Sequence, residues 1–327
     1  MVTDEPVQAN LRVGLVLEAL DKLAEDVALR LARRVDPKAK VVTAAMDELR
    51  VYHAPEVTQD LVFKARVNFV GRTSMEVGIR IEQAGESPIH IASSYFTMAA
   101  RIESENGSEC GLPLTPLVLV SALDQRRFAQ AVERKAKQRQ SDSRVVPTAE
   151  EYLALEELHN KQDGPNEGLL LASNMTTEGW ERTYPEYENV PKTIFGGYVA
   201  HRAYMYAHIC AEQVARHRAL LVSINRINFY QPVRMGDKLH FLSRVTYTGQ
   251  TSLEVETVIT RISRDRSMTA LSNSCIFRFV SVDGSLRRLP VPTVYPSTYA
   301  EDKRFLLASR RHELYKAELA SKVGSNS

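Results

Sequence analysis

Long apolar runs are missing from this sequence. No stretch approaches the roughly twenty apolar residues that a membrane-spanning helix needs, so a helical span is not expected. Cysteine is scarce: Cys110, Cys210 and Cys275 are widely spaced and form no C-x-x-C pair. An odd, dispersed set builds neither a disulfide framework nor a zinc site and points to a reducing compartment. A nucleophilic role for one of them would need an activating neighbour, and none adjoins them in sequence. Charge imbalance is missing as well, with 42 Lys and Arg against 40 Asp and Glu giving a net +2. That argues against a dedicated nucleic-acid binder and leaves room for a local basic patch. There is no G-x-S-x-G, H-E-x-x-H, P-loop or Rossmann glycine pattern, so serine-hydrolase, zinc-hydrolase and nucleotide-fold readings lose their main support. Met1 to Pro6 carry acid and no apolar stretch, which reads as neither a signal peptide nor a transit peptide.

What is present is a 327-residue chain, 44% hydrophobic and 25% charged, of ordinary globular composition and long enough for two domains. It contains an internal repeat. Gly71-Arg72-Thr73-Ser74-Met75-Glu76-Val77 returns as Gly249-Gln250-Thr251-Ser252-Leu253-Glu254-Val255, 178 residues later (249 less 71). Alternating β-branched runs flank both copies: Leu61 to Val70 and Glu76 to Glu82 in the first half, Lys238 to Tyr247 and Glu254 to Ile262 in the second. Period-two alternation joined at Val-Gly or Thr-Gly predicts hairpins. A third strand is expected in each half, Ile89 to Met98 and Met268 to Val280. A further strand should precede each hairpin, near Val51 and at Ile224 to Phe229.

Each half opens with a long helix. Residues 14–34 set Leu17, Leu20, Ala24, Val27 and Leu31 at three- and four-residue steps, and residues 197–217 do the same with Val199, Ala203, Tyr206, Ile209, Cys210 and Ala211. A helix followed by a twisted antiparallel sheet that curls around it is the hotdog arrangement, and two such units can join their sheets edge to edge. The expected fold class is therefore α+β, with an N-terminal hotdog over 1–120, a helical linker over 121–168 and a C-terminal hotdog over 169–300. A final helix and tail over 301–327 complete the chain, with Gly324 onward frayed. In the linker, Arg126, Arg127, Arg134, Lys135, Lys137 and Arg139 face one acid, Glu133. This reads either as a solvated helix packing across the sheet or as a surface for the phosphates of an anionic ligand.

The second helix begins at Gly196-Gly197. Its first N–H groups lack intrahelical acceptors and sit at the positive end of the dipole, which suits an oxyanion hole for a carbonyl. Equally, the glycines could serve only to let the helix pack closely. Asp21 falls inside the apolar stripe of the first helix, where an acid is unfavourable without a purpose. Glu18 lies one turn earlier, as a rival acid or as a like charge that would raise the pKa of Asp21. His201 and His208 share a helix face, but a metal would need a third ligand, so they read as packing or interface histidines. No metal or cofactor is expected.

The string Asn189 to Gly197 resembles the loop that leads into the helix of hotdog thioesterases, in the form found in the acyl-coenzyme A thioesterase 9 family. Asn189 takes the family's asparagine place before Phe195-Gly196-Gly197. The likeness continues through Tyr230-Gln231-Pro232-Val233, Gly249, Phe277 and Pro290 to Tyr299. In the first half it runs through Val13-Gly14, Leu17-Glu18, Leu20-Asp21, Gly71 to Val77 and Arg101 to Asn106, so it spans nearly the whole chain. One departure is Pro191, where the family often has histidine; it puts substrate choice in doubt.

The resemblance implies an acyl-CoA thioesterase, a thioester hydrolase acting on fatty acyl-CoA. It further implies that the catalytic carboxylate stands seven residues after the first glycine of the helix. Seven after Gly14 is Asp21; seven after Gly197 is Tyr204. One complete set is expected: Asp21 from the first half, with Asn189, Gly196 and Gly197 from the second. Asp21 would act as general base on a water held by Asn189, or attack directly. Bulky Tyr204 and Met205 hint at a short- to medium-chain acyl group. The resemblance also implies a homo-oligomer, a trimer of double hotdogs, and a mitochondrial setting, with a cytoplasmic one as the alternative. Two other functions stay open: a hydroxyacyl dehydratase, which would want histidine at the asparagine place, and a non-catalytic acyl-CoA-binding regulatory module, which loss of Asp21 or Asn189 would favour.

Overall fold

The computed structural model describes residues 12–56, 58–104, 106–141, 146–163, 168–189 and 192–323. The acidic N-terminal residues, Pro191 and the tail from Gly324 lie outside them, as does the side chain of Arg139.

Helix α1 (Val13–Val35) buries Leu17, Leu20, Asp21, Ala24, Ala28 and Ala32 along one stripe. Small alanines on that stripe let a sheet approach the helix axis closely. Strands β1 (Lys40–Val51), β2 (Leu61–Val70), β3 (Ser74–Gln83), β4 (Ile89–Glu103) and β5 (Glu109–Gly111) follow. Then come α2 (Ala122–Ser141), α3 (Ala149–Asn160) and β6 (Leu170–Leu171). Strand β7 (Thr176–Arg182) and helix α4 (Gly196–Ala215) open the second half, which continues with β8 (Arg218–Phe229), β9 (Lys238–Thr248), β10 (Ser252–Ile262) and β11 (Thr269–Val282). Strand β12 (Val294–Tyr295) and α5 (Tyr299–Val323) close it.

One large sheet runs in the order β2-β3-β4-β1-β8-β11-β10-β9-β7, with β5 on β4. The halves meet where β1 and β8 pair antiparallel, Ala45 opposite Asn228 and Leu49 opposite Ile224. The 178-residue offset of the sequence repeat also relates β1 to β8. Both helices lie under the same sheet, and one apolar core runs from Leu17 and Phe96 to Phe277 and Phe279. The expected hotdog arrangement, α+β with two helix-plus-sheet units, is what the chain forms. Strand β7 was not anticipated; it lies at the sheet edge against β9, where Gly179 leaves room for the Tyr206 ring.

The helices outside the sheet are held by the repeat itself. Glu76 is buried and accepts from Arg134 of α2 at 2.5 and 3.2 Å and from Asn68 at 3.2 Å. Its counterpart Glu254 accepts from Arg311 of α5 at 2.6 and 3.2 Å, from Arg278 at 3.3 Å and from Thr246 at 3.2 Å. Arg134 also stacks over Tyr95 at 3.7 Å, and Lys135 over Phe69 at 4.2 Å. The basic run of the linker is thus in part a packing surface that crosses the sheet.

Candidate active site

The two central helices meet near their N-termini, and glycine is what permits it. A Cβ at Gly197 would lie 2.8 Å from the Glu18 Cα and 3.0 Å from the Asp21 Cβ. A Cβ at Gly14 would run into the His201 ring. The close-packing reading of the glycines therefore holds, and it has a chemical consequence: α1 is near enough for Asp21 to reach the first turn of α4.

Asp21 is 2% exposed. Its Oδ2 accepts from the Gly197 N–H at 2.6 Å, and its Oδ1 accepts from the Thr43 hydroxyl of β1 at 2.7 Å. Burial pushes its carboxyl up to about 6, against the pull of the Thr43 and Gly197 hydrogen bonds. The expected role of Glu18 as the like charge that raises Asp21 is not what the geometry gives. Glu18 instead meets His201 Nδ1 at 2.7 Å, and burial is the leading cause at Asp21. A different acid is coupled to Asp21: Glu25, one turn on, is pushed to about 7 by burial and then by the Asp21 charge.

Asn189 sits in a tight loop before α4. Its side-chain oxygen accepts from the Thr193 N–H at 3.1 Å and the Thr193 hydroxyl at 2.9 Å, while its own N–H donates to the Thr193 carbonyl at 2.8 Å. Lys192, at φ 60°, makes the turn. The loop is pinned to the body by Ile194 N–H to the Val233 carbonyl and Phe195 N–H to the Tyr187 carbonyl, 2.7 and 2.8 Å. Among the described residues the Asn189 amide nitrogen donates to no protein group, and neither does the Gly196 N–H. Of the two N–H groups expected to be open at the helix start, Gly197's is thus taken by Asp21.

A cavity of about 650 Å³ brings these parts together: Thr43, Asn189, Gly196, Val199 and Phe229 all line it. Asp21 lies behind its wall, bonded to Thr43 and next to Gly196, whose Cβ position is 3.1 Å from Asp21 Oδ2. Arg101, Lys192 and Arg234 line the same cavity, and among the described residues none of them forms an ion pair. None of the α2 cations lines it. A smaller cavity of about 290 Å³, lined by Glu18, Lys22, Glu25 and Phe195, touches the other side of Asn189.

Tyr204, the counterpart of Asp21, is buried against His208, Phe277 and Phe279 and offers no carboxylate; Met205 points to the surface, 39% exposed, and plugs nothing. His208 Nε2 donates to the Ala219 carbonyl at 2.9 Å, and His201 is engaged with Glu18. Cys210 and Cys275 are buried, and burial raises both thiols, Cys210 to about 11, away from nucleophilic use. Thr43 escaped the sequence reading. A lone threonine in an apolar strand carries no signal until its partner across 22 residues is known.

Two stretches of the chain, residues 13–90 and 192–267, each match the model of the thioesterase superfamily. The thioesterase-superfamily domain thus occurs twice in the chain. Along its length it is similar to the mitochondrial acyl-coenzyme A thioesterase 9 of Homo sapiens, 27% identical over 93% of this chain and 72% of that protein. It is also similar to the mitochondrial acyl-coenzyme A thioesterase 10 of Mus musculus, 25% identical over 93% and 72%. The chloroplastic acyl-coenzyme A thioesterase 2 of Humulus lupulus is 24% identical over 91% and 73%. Among solved structures, the acyl-CoA hydrolase from Bacillus cereus aligns with 49% of this chain and 98% of its own, at 27% identity and a TM-score of 0.44. Each thioesterase-superfamily segment contributes one half of the cluster just described: Asp21 and Thr43 from the first, Gly196 and Gly197 from the second.

Proposed function

We propose that the protein hydrolyses acyl-CoA thioesters at one composite site between its two hotdog units. The observation that carries this reading is the Asp21 carboxylate of α1, hydrogen-bonded to the first turn of α4 beside a cavity that Asn189 and Gly196 line. The relatives' names supply the thioester class; the geometry supplies a base, an open N–H donor and a polar amide.

In this mechanism the thioester carbonyl oxygen takes the Gly196 N–H. The Asn189 amide nitrogen holds a water for Asp21, whose position the Thr43 hydroxyl and the Gly197 N–H fix. Asp21 removes a proton from that water as it adds to the carbonyl carbon, and the negative charge that grows on the carbonyl oxygen faces the positive end of α4. Collapse of the adduct breaks the C–S bond, and the expelled CoA thiolate receives the proton from Asp21. The products are the free acid and CoA. A thiolate leaves readily, so no strong acid is needed. Direct attack by Asp21 is disfavoured by its two hydrogen bonds, which hold both oxygens in place. Arg101, Lys192 and Arg234 are the cations that would receive the CoA phosphates. A short- to medium-chain acyl group, a mitochondrial setting like that of the first-named relatives, and assembly as a trimer of double hotdogs complete the proposal.

The test is thiol release from acetyl-, butyryl- and palmitoyl-CoA by the purified protein. Turnover of one or more esters that vanishes in Asp21→Asn, with the variant still folded, supports the reading. Binding of all three esters without release of thiol overturns it and leaves a binding module.

A further inference from the structure

A second polar pocket, of about 190 Å³, lies under the N-terminus of α5, where Arg244 of β9 and Arg304 of α5 converge with Ser173 and Thr176. It shares no lining residue with the hydrolytic cavity. Arg244 is the unusual member. Its Nε is enclosed and has no hydrogen-bond partner, and among the described residues its guanidinium forms no ion pair. Buried donors are nearly always paired, because an unmade hydrogen bond leaves the full cost of desolvation.

The nearby acids do not fill that gap. Glu256 stands directly opposite Arg244 on β10, yet its carboxylate goes to Arg304 Nε at 3.2 Å. Glu301 also lines the pocket, and its Oε2 is held by the Ser297 N–H and hydroxyl and the Thr298 N–H, at 2.8, 2.9 and 3.2 Å. Burial and then the Arg304 charge hold Arg244 below the ordinary arginine value, while Glu256 and Glu301 pull the other way. An added oxyanion would offset both of the depressing causes.

We propose that this pocket is a binding site for a small phosphate-class oxyanion, bridged between the Arg244 and Arg304 guanidinium groups with the Ser173 and Thr176 hydroxyls as further donors. The volume admits a phosphoryl group. The ligand is inorganic phosphate or the terminal phosphoryl group of a larger molecule.

Inorganic phosphate and AMP are titrated calorimetrically into the full chain at constant ionic strength, beside Arg244→Gln, Arg304→Gln and the cavity variant Arg101→Gln/Arg234→Gln. The expected result is a saturable phosphate-binding component that weakens about tenfold or more in either pocket variant and persists in the cavity variant, which removes only any separate binding at the hydrolytic cavity. A folded Arg304→Gln keeps the test valid should Arg244→Gln fail to fold. AMP binding with the same dependence on Arg244 and Arg304 assigns the site to phosphate monoesters; phosphate alone assigns it to the free ion. No saturable phosphate binding, or binding lost only in the cavity variant, overturns the proposal. Because the readout is binding, it is independent of whether the chain hydrolyses any thioester.

Discussion

The Gly197 N–H donates to the Asp21 carboxylate at 2.6 Å, across the crossing of two helices whose residues are 176 apart in the chain. Neither half of the molecule holds this arrangement by itself. Gly14 and Gly197 occupy equivalent places, as do Glu18 and His201, and Asp21 and Tyr204. The pseudo-symmetry is kept in the packing and broken in the chemistry: Glu18 and His201 pair with each other, whereas only one helix offers an acid to the other's first turn.

That asymmetry gives the first expectation. Asp21→Asn keeps the shape of the side chain but cannot accept a proton from water, so thiol release should fall by about 10²- to 10⁴-fold, the range for loss of a general base. Asn189→Ala should reduce turnover as well. Tyr204→Phe removes only a buried phenol on the other helix and should leave turnover within about threefold, since the reciprocal place has no role to lose. Steady-state rates of the three variants, with circular dichroism to confirm folding, decide the matter.

The pH dependence of activity follows from the same carboxyl. Hydrolysis requires ionised Asp21, so kcat/KM should rise with pH through a limb near pH 6. Thr43→Val removes a hydrogen bond that favours the ionised form. Its limb should therefore move to higher pH, with a lower plateau. A Thr43→Ser variant, which restores the hydroxyl, should bring the limb back. A limb unmoved in Thr43→Val would mean that another group controls it.

Stability should depend on pH in the sense set by a raised carboxyl. Folded Asp21 titrates near 6, above its ordinary 3.8. Between these values the native state holds a proton that the unfolded chain has released, so the contribution of this group to stability is greatest below about pH 4. It declines as pH rises toward 6 and is flat beyond, by about 3 kcal/mol for this group alone. Asp21→Asn should remove most of that slope, leaving the part that Glu25 contributes by its own burial. Denaturant midpoints at pH 4.5 and 7.5 for both proteins measure it.

Much of this was legible in the sequence, and the reason is the repeat. The paired heptads at Gly71 and Gly249 sit at the turns of the β2-β3 and β9-β10 hairpins, so finding them placed most of the sheet. The helix stripe exposed Asp21 as an acid among apolar neighbours, and burial is indeed what perturbs it. Three features were not legible. Thr43 needs its partner to be recognised. Strand β7 is short, with a glycine at its centre. The basic helix α2 shows its cations but not their destination, because the acid that receives Arg134 lies 58 residues away inside the repeat. A sequence displays charge; it does not display which face of a sheet a glutamate leaves by.

The two glycines at the helix crossing should respond differently to alanine, although both are crowded. At Gly197 the new Cβ would press on backbone, the Glu18 Cα at 2.8 Å, and on the Asp21 Cβ, so the helices must separate. That should cost about 1–3 kcal/mol and also pull Asp21 off the helix start, lowering kcat. At Gly14 the obstacle is the His201 ring, a side chain that can rotate away at the loss of its Glu18 partner. Stability should fall less there, and kcat should be nearly unchanged. Measuring both quantities for both variants separates the packing role of the crossing from its chemical one. Equal loss of kcat in the two would show that the catalytic geometry depends on the crossing as a whole and not on the Asp21–Gly197 contact.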